Sequence, residues 1–357
     1  MARRNVLRIA IWVVVLLCSS WAFSKETIGN SSCGNGICEE SENNQSCKQD
    51  CCSDIYPRLE QACLKKGWDK ITIDVATLSR KALVKKPTGF WSSGAIIVLH
   101  GGGGSHSNFC GDVSLNKPMG DFSDLAVREG FAVFSLDSAV NVATDPQGRG
   151  IGKRWDSLAT ENRKNVDLPF IEKVITQVIP SLRPEKSAKG IYLTGISNGG
   201  FMTTLAATHL SDKIQAFAPV SAGDPYGTYF DMGTKPPLER RCAPGLWRDN
   251  ETLRSINEKG ACTSEKVSNE KPWKGAVPVK KPPFKQFHHE GDGGCDFSCM
   301  EKAKKQLIQQ GYRDAGAFVI KSANNRSIMN HFWKEQYNPK IIEFFKENGA
   351  GNSDLVE

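Results

Sequence analysis

Apolar runs of strand length recur along the chain at 95–99, 132–136, 191–194, 216–220, 287–289 and 317–320. Between them lie segments of helical period near 122–129, 166–179, 199–210, 300–310 and 339–346. Short continuous apolar runs are what strands covered on both faces look like. Their alternation with helices predicts an α/β fold, with a mostly parallel sheet and helices on both faces. Ligands on such sheets sit beyond the carboxyl ends of the strands, so chemistry is expected at the strand exits. Between residues 224 and 283 the pattern breaks. That stretch is rich in Pro and Lys and shows little period. It is too long for a plain connection inside a compact domain, and it reads as a cap-like insertion beside the expected site.

Two strand exits are rich in glycine. The first is Leu99-His100-Gly101-Gly102-Gly103-Gly104. Four glycines let the backbone turn tightly and leave N–H groups unobstructed, which suits an oxyanion hole of the HGGG type. A phosphate-cradling loop is the rival, but the Lys-Ser/Thr of a P-loop is missing, as is a G-x-G-x-x-G opening a helix. The second exit is Thr194-Gly195-Ile196-Ser197-Asn198-Gly199-Gly200. The bare G-x-S-x-G pattern is weak, but here an apolar strand runs straight into it and a helical pattern follows. A serine in that context sits on a tight strand-to-helix elbow, where small neighbours are needed and the helix N-terminus favours developing negative charge. Ser197 is therefore the expected nucleophile.

A serine hydroxyl needs a base, and the base needs an orienting carboxylate. The chain has six histidines. His100 and His106 belong to the glycine loop, and His209 lies about three helical turns beyond Ser197. His288, His289 and His331 remain. In the order Ser…Asp/Glu…His, His331 follows the last expected strand and precedes the terminal helix, the right place for the base. Asp292 ends the preceding strand in a Gly-rich turn and is the expected acid, with Glu290 and Asp296 as competitors.

Charge and cysteine content change the setting more than the chemistry. The 357 residues carry 46 Lys+Arg against 39 Asp+Glu, a formal +7. Without a basic motif, that excess does not make a nucleic-acid binder. Beyond the first 25 residues no apolar stretch is long enough to span a bilayer, which excludes a polytopic membrane protein. Arg3, Arg4 and Arg8 precede a short apolar run, and Ala22 and Ser24 are small. This is the pattern of a secretory signal, residues 1–24, and it predicts a secreted or periplasmic protein with no stable membrane insertion. Residues 235–285 hold 12 Lys/Arg and 6 Asp/Glu, so the basic excess of the remaining chain belongs to the insertion. Five of the 12 cysteines crowd into 33–52. That run has almost no aliphatic residues and needs cross-links to hold a shape, so residues 25–54 are expected to form a disulfide-rich module. Its acids Glu39, Glu40, Glu42 and Asp50 are spaced as loop oxygen donors. A calcium site is conceivable, although the D-x-D-x-D-G pattern is absent. No other cofactor or metal is implied. Cys295 and Cys299 flank the acid turn and are candidates to pair with each other or to brace the insertion.

Two resemblances follow from these residues. The segment CGNGICEESENNQSCKQDCC is similar to small CGNGxCE modules appended to many exported microbial proteins, which implies an accessory disulfide-bonded unit. From about 93 to 345, the pieces LHGGGG (99–104), RKNVDLPFIEKVI (163–175), IYLTGISNGGFMT (191–203), AFAPVSAG (216–223), HHEGD (288–292) and NHFW (330–333) resemble secreted esterases related to polyhydroxybutyrate depolymerases and feruloyl esterases. The resemblance implies an α/β-hydrolase fold over 55–357 and hydrolysis of small or polymeric carboxylic esters through an acyl-enzyme. Ser197 is then nucleophile, Asp292 acid and His331 base, with the backbone N–H groups of Gly102 and Asn198 as oxyanion donors. The sequence departs from the family pattern twice. His289 stands where a glycine is usual after His288, and Asn330 stands where a glycine usually precedes the histidine. Two further readings fit the same residues: a serine peptidase on the same fold, and a non-catalytic polymer- or glycan-binding protein on a hydrolase scaffold.

Overall fold

The computed structural model describes residues 57–75, 78–111, 113–138, 142–144, 154–157, 165–225, 252–256, 262–266, 280–322 and 325–349. The signal segment 1–24, the cysteine-rich module 25–54 and its calcium possibility lie outside them. Helix α1 (Pro57–Lys65) leads into strands β1 (Asp69–Val75), β2 (Leu78–Lys85) and β3 (Gly94–Leu99). Next come α2 (Lys117–Arg128), β4 (Phe131–Leu136) and the short β5 (Val142–Thr144). Helix α3 (Leu168–Lys173) passes through a π turn (Val174–Val178) into α4 (Ile179–Leu182), followed by β6 (Ile191–Ile196), α5 (Asn198–His209) and β7 (Ala216–Val220). Strands β8 (Thr252–Ile256) and β9 (Cys262–Lys266) precede β10 (Phe284–His289), α6 (Phe297–Gln309) and β11 (Asp314–Ile320). A 3₁₀ turn (Ile328–His331) and α7 (Tyr337–Glu347) complete the order.

Eight strands form one sheet in the order β1-β2-β4-β3-β6-β7-β10-β11. From β4 to β11 all pairs are parallel, and β2 pairs antiparallel with both β1 and β4. The expected parallel sheet is thus present, extended by an antiparallel hairpin at one edge. Alternate residues of β3 feed opposite faces, as the twofold period of a strand requires. Ala95, Ile97 and Leu99 join one apolar cluster with residues of α3, α4 and α5, such as Phe170, Ile179 and Leu205. Ile96 and Val98 join the other with Phe122 of α2 and with Ile341 and Phe345 of α7. Each buried side chain of the size of Ile97 or Phe170 contributes about 1.5–3 kcal/mol, so apolar packing holds both faces of the sheet.

Several elements differ from the sequence expectation. Strand β10 starts at Phe284, before the apolar run at 287–289, and the polarity of Lys285 and of Gln286, which is only 2% exposed, hid that start. The hairpin β1–β2 was not expected, since β2 reads LSRKALVK. Its Arg80 is nevertheless 5% exposed, 2.5 Å from Asp167 and 4.2 Å from the Phe170 ring centroid. A partner 87 residues away makes that charge tolerable inside, and no local pattern announces it. The insertion contains β8 and β9, which pair antiparallel with each other, while β5 pairs with β8 in a second, three-stranded sheet. A disulfide joins Cys63 of α1 to Cys110, with Cα atoms 5.5 Å apart. Cys299 is disulfide-bonded, and not to Cys295, so the proposed pairing of those two is not formed. Among the described residues no helix is long and apolar enough to cross a membrane.

Candidate active site

Ser197 follows β6 at the carboxyl end of the sheet and carries φ 55° and ψ −121°. For a residue with a side chain this is a strained conformation. It is held because Ser197 N–H donates to Val220 O at 2.9 Å while Ser197 O accepts from Phe201 N–H at 2.9 Å. The glycines around it are required by space. A Cβ on Gly195 would lie 2.7 Å from Leu99 O, one on Gly199 2.3 Å from His100 O, and one on Gly200 2.7 Å from Val220 O. The elbow therefore fits only because its neighbours lack side chains. The glycine loop closes against it. A Cβ on Gly101 would sit 3.7 Å from Ser197 Cβ, and one on Gly102 3.7 Å from Asn198 Cβ. The Asn198 amide opens α5, where the first N–H groups have no partner within the helix. Gly102 and Asn198 are thus brought to adjoining positions beside the serine.

His331 Nε2 lies 2.8 Å from Ser197 Oγ. Its Nδ1 is 2.9 Å from both carboxylate oxygens of Asp292. A nitrogen facing a carboxylate carries the proton, which leaves Nε2 as the acceptor for the serine hydroxyl. Asp292 is 2% exposed. Its Oδ1 accepts from Gly294 N–H at 2.7 Å and Cys295 N–H at 2.9 Å. Burial opposes its charge, but the hydrogen bond and charge of His331, then His288 and the Cys295 amide, bring its pKa below the ordinary carboxylate value. The acid is thus a charged, fixed acceptor and not a proton donor. Such a row can activate a hydroxyl as a nucleophile by taking its proton, and can stabilise the imidazolium that then forms.

No family model and no curated protein matches the sequence. Among solved structures, a Pyrococcus horikoshii acylaminoacyl peptidase aligns with a TM-score of 0.51 at 17% identity, over 85% of this chain and 45% of that one. The fold is that of the α/β-hydrolases. An acetyl xylan esterase from Aspergillus awamori aligns at 14% identity with a TM-score of 0.49, over 78% of this chain and 98% of that one. A fluorophosphonate-binding serine hydrolase of Staphylococcus aureus aligns at 13% identity with a TM-score of 0.48, over 78% and 98%. The chain spans less than half the length of the acylaminoacyl peptidase.

On an α/β-hydrolase sheet the competing acids have other employment. Asp296 caps α6, accepting from Ser298 N–H at 3.1 Å, and pairs with Arg326 at 3.2 Å. Glu290 accepts from Ser322 N–H at 3.2 Å. The two departures from the resembled pattern are absorbed locally. His289 Nδ1 accepts from Gly291 N–H at 3.0 Å and closes the turn before Asp292. Asn330 Nδ2 donates to Gly291 O at 3.2 Å and Asn325 O at 2.9 Å, tying the acid loop to the loop that carries His331. His100 shapes the glycine loop: Ser138 N–H donates to its Nε2 at 3.2 Å, so its Nδ1 donates to Gly101 O at 2.7 Å. His106 contacts Glu60 at 3.1 Å and Asp137 at 3.4 Å, away from Ser197.

Some contributors escaped the sequence reading. Asn198 acts through its side chain as well as its amide. It accepts from Trp155 N–H at 2.6 Å and donates to Trp155 O at 3.2 Å and Ser157 Oγ at 2.9 Å. Trp155 Nε1 donates to His100 O at 2.9 Å, so one indole links the elbow to the glycine loop. Gly294 has its α-carbon against the imidazole: a Cβ there would lie 2.6 Å from His331 Cγ. The double glycine after Asp292 was the available signal for it. A cavity of about 690 Å³ lined by Ser92, Lys189, Lys213 and Lys280 opens by Gly190 and Ile191, at the amino ends of the strands and away from this site.

Proposed function

We propose that the chain is an exported serine hydrolase of carboxylic esters. The observation that carries this reading is the unbroken row Asp292–His331–Ser197, with contacts of 2.9 and 2.8 Å at a strand–helix elbow. His331 Nε2 takes the hydroxyl proton as Ser197 Oγ bonds to the ester carbonyl carbon. Gly102 and Asn198 N–H groups receive the oxyanion, each such donor being worth about 2.7–4 kcal/mol. His331 then protonates the leaving alcohol as its C–O bond breaks, and an acyl-enzyme remains. Water, deprotonated by the same nitrogen, releases the acid and restores the serine. Side chains and backbone amides suffice for this scheme. Ester substrates, whether polysaccharide-linked feruloyl or acetyl groups or a polyester, are favoured by the motifs shared with depolymerases and feruloyl esterases. Export is supported by the amino-terminal signal pattern and by the Cys63–Cys110 disulfide, which suits an oxidising compartment.

Purified protein tests the reading directly. Wild type is expected to hydrolyse p-nitrophenyl acetate and to be labelled by a fluorophosphonate, and Ser197→Ala to do neither. Full hydrolysis by Ser197→Ala refutes the scheme. Turnover of peptides in preference to esters would make the chain a peptidase. Absence of labelling in wild type would favour a binding protein on this fold.

A further inference from the structure

A second histidine reaches the acid. His288, at the end of β10, is fully buried, with Nε2 2.9 Å from Cys295 O and 3.5 Å from Asp292 Oδ2. Both neighbours are acceptors, so Nε2 carries a proton, which it donates to Cys295 O while the Asp292 carboxylate lies alongside as a charge contact. Its other nitrogen, Nδ1, is buried without a hydrogen-bond partner. A charged imidazolium would have to bury an unsatisfied N–H there, which is costly. His288 is therefore a neutral ring whose donor end is on Cys295 O, beside the acid. We infer that His288 is a positioning residue for the triad: its Nε2–H holds the Cys295 carbonyl, whose own amide donates to Asp292, and so keeps that carboxylate facing His331.

The geometry gives the contact a definite task. Asp292 is held by the Gly294 and Cys295 amides on Oδ1 and by His331 across both oxygens, and His288 Nε2 lies 3.5 Å from Oδ2. Cys295 links two of these, because its N–H donates to Asp292 while its O accepts from His288. Removing the Nε2–H releases the Cys295 carbonyl from His288 and takes a partial positive charge away from Asp292 Oδ2. The less-solvated carboxylate then holds a proton on His331 more tightly, and the imidazole must be neutral to serve as base. The other charged or titratable side chains that act on the acid or its histidines are Lys334, Tyr337, His289, Glu290 and Asp296. None of these is altered by a change at 288.

The inference depends on the proposed triad, and the experiment separates the two. The full chain is compared with His288→Gln, His288→Asn and His288→Met on p-nitrophenyl acetate from pH 5 to 9. Gln places an amide N–H close to the original Nε2, whereas Asn is polar but too short and Met has no donor. Gln is expected to stay within about twofold of wild type. Asn and Met are expected to lose about tenfold in kcat with KM little changed, and to move the acidic limb of kcat/KM up by roughly half a pH unit, the size of one modest hydrogen bond. A merely structural role would lower Tm in all three and leave the limb in place, and that result overturns the inference while the triad stands. Nitrogen-15 NMR of histidine-labelled wild type gives a second measure independent of variant folding. It should show His288 as the neutral Nε2–H tautomer at pH 7, and an Nδ1–H tautomer or an imidazolium overturns the inference. Wild type without ester hydrolysis overturns the triad and this inference together.

Discussion

Gly294→Ala measures how tightly the base is held. The glycine's φ is not in the left-handed region, so alanine is acceptable to the backbone there. The difficulty is contact. The new Cβ would lie 2.6 Å from His331 Cγ and 2.8 Å from its Nδ1 and Cδ2. Carbon atoms in contact settle at about 3.5 Å or more, so the ring must retreat by roughly 0.9 Å from the 2.6 Å position. It has no slack for this, with 2.9 Å to Asp292 on one side and 2.8 Å to Ser197 on the other. A shift of that size stretches at least one of the two beyond hydrogen-bond range. Misplacement of a reacting group by about 1 Å costs about a hundredfold in rate, or about 2.7 kcal/mol of transition-state stabilisation. The assay is kcat and KM for p-nitrophenyl acetate, with Tm measured alongside. The loss is expected in kcat, with Tm changed little. Gly89→Ala is the control: it has open space around it but φ +85°, so it should lower Tm and leave kcat alone. Wild-type kcat in Gly294→Ala would refute the claim that the imidazole is wedged against this position.

Three other outcomes follow from the same contacts. Ser197→Gly removes the strain of φ 55°, worth about 1–3 kcal/mol, at an entropic cost below about 1 kcal/mol. It should abolish hydrolysis and raise Tm by about 2 °C, and a fall in Tm would contradict the strain. Arg80→Met leaves the fully buried Asp167 carboxylate with the Asp156 amide but without its cation. Breaking a buried pair costs about 3–5 kcal/mol, which urea unfolding would register. The double variant Arg80→Met with Asp167→Asn, which keeps an acceptor for the Asp156 amide, should recover much of it, and no recovery would show that the charge is not the reason. Burial lowers the pKa of His288, and likewise that of His209 against its hydrogen bond to Leu205. The unfolded chain therefore binds protons that the native protein refuses, starting near the ordinary histidine value of about 6.5. Stability should be full above that pH and be lost as pH falls towards the lower native values, by up to about 1.4 kcal/mol per pH unit for each group. A Tm that is flat or rising from pH 7.5 to 5.5 would contradict this.

The parallel strands were legible because each is buried on both faces and reads as an unbroken apolar run, as GAIIVL and FAVFSL do. The edge hairpin was not, because only part of its surface is covered. In β1, DKITIDV, Ile73 is buried while its neighbours Thr72 and Asp74 are exposed. That alternation was a usable signal, but the charges of β2 hid its partner. Arg80 could be placed inside only by knowing that Asp167 returns to meet it, and that is information of topology.

The site divides along the same line. Ser197, Asp292 and His331 could be read because each belongs to a strand exit, and the order of exits is written in the chain. The side chains that hold them could not be read so simply. His289 and Asn330 stand where a glycine is usual in the esterases that the motifs resemble. In the fold each supplies a hydrogen bond to Gly291, His289 through Nδ1 accepting from its N–H and Asn330 through Nδ2 donating to its O. Gly291, Gly293 and Gly294 stand where a Cβ would meet Asn325 O at 2.4 Å, Ser327 C at 2.7 Å and His331 Cγ at 2.6 Å. Acid loop and base loop thus approach backbone to backbone, and the parallel bridge between Asp292 and Ser327 is the result. What the loop requires is close approach plus a tether, and the sequence meets both with a different distribution of glycine and polar residues. A departure from a motif is therefore poor grounds for doubting its chemistry when the residues present supply the close approach and the tether themselves.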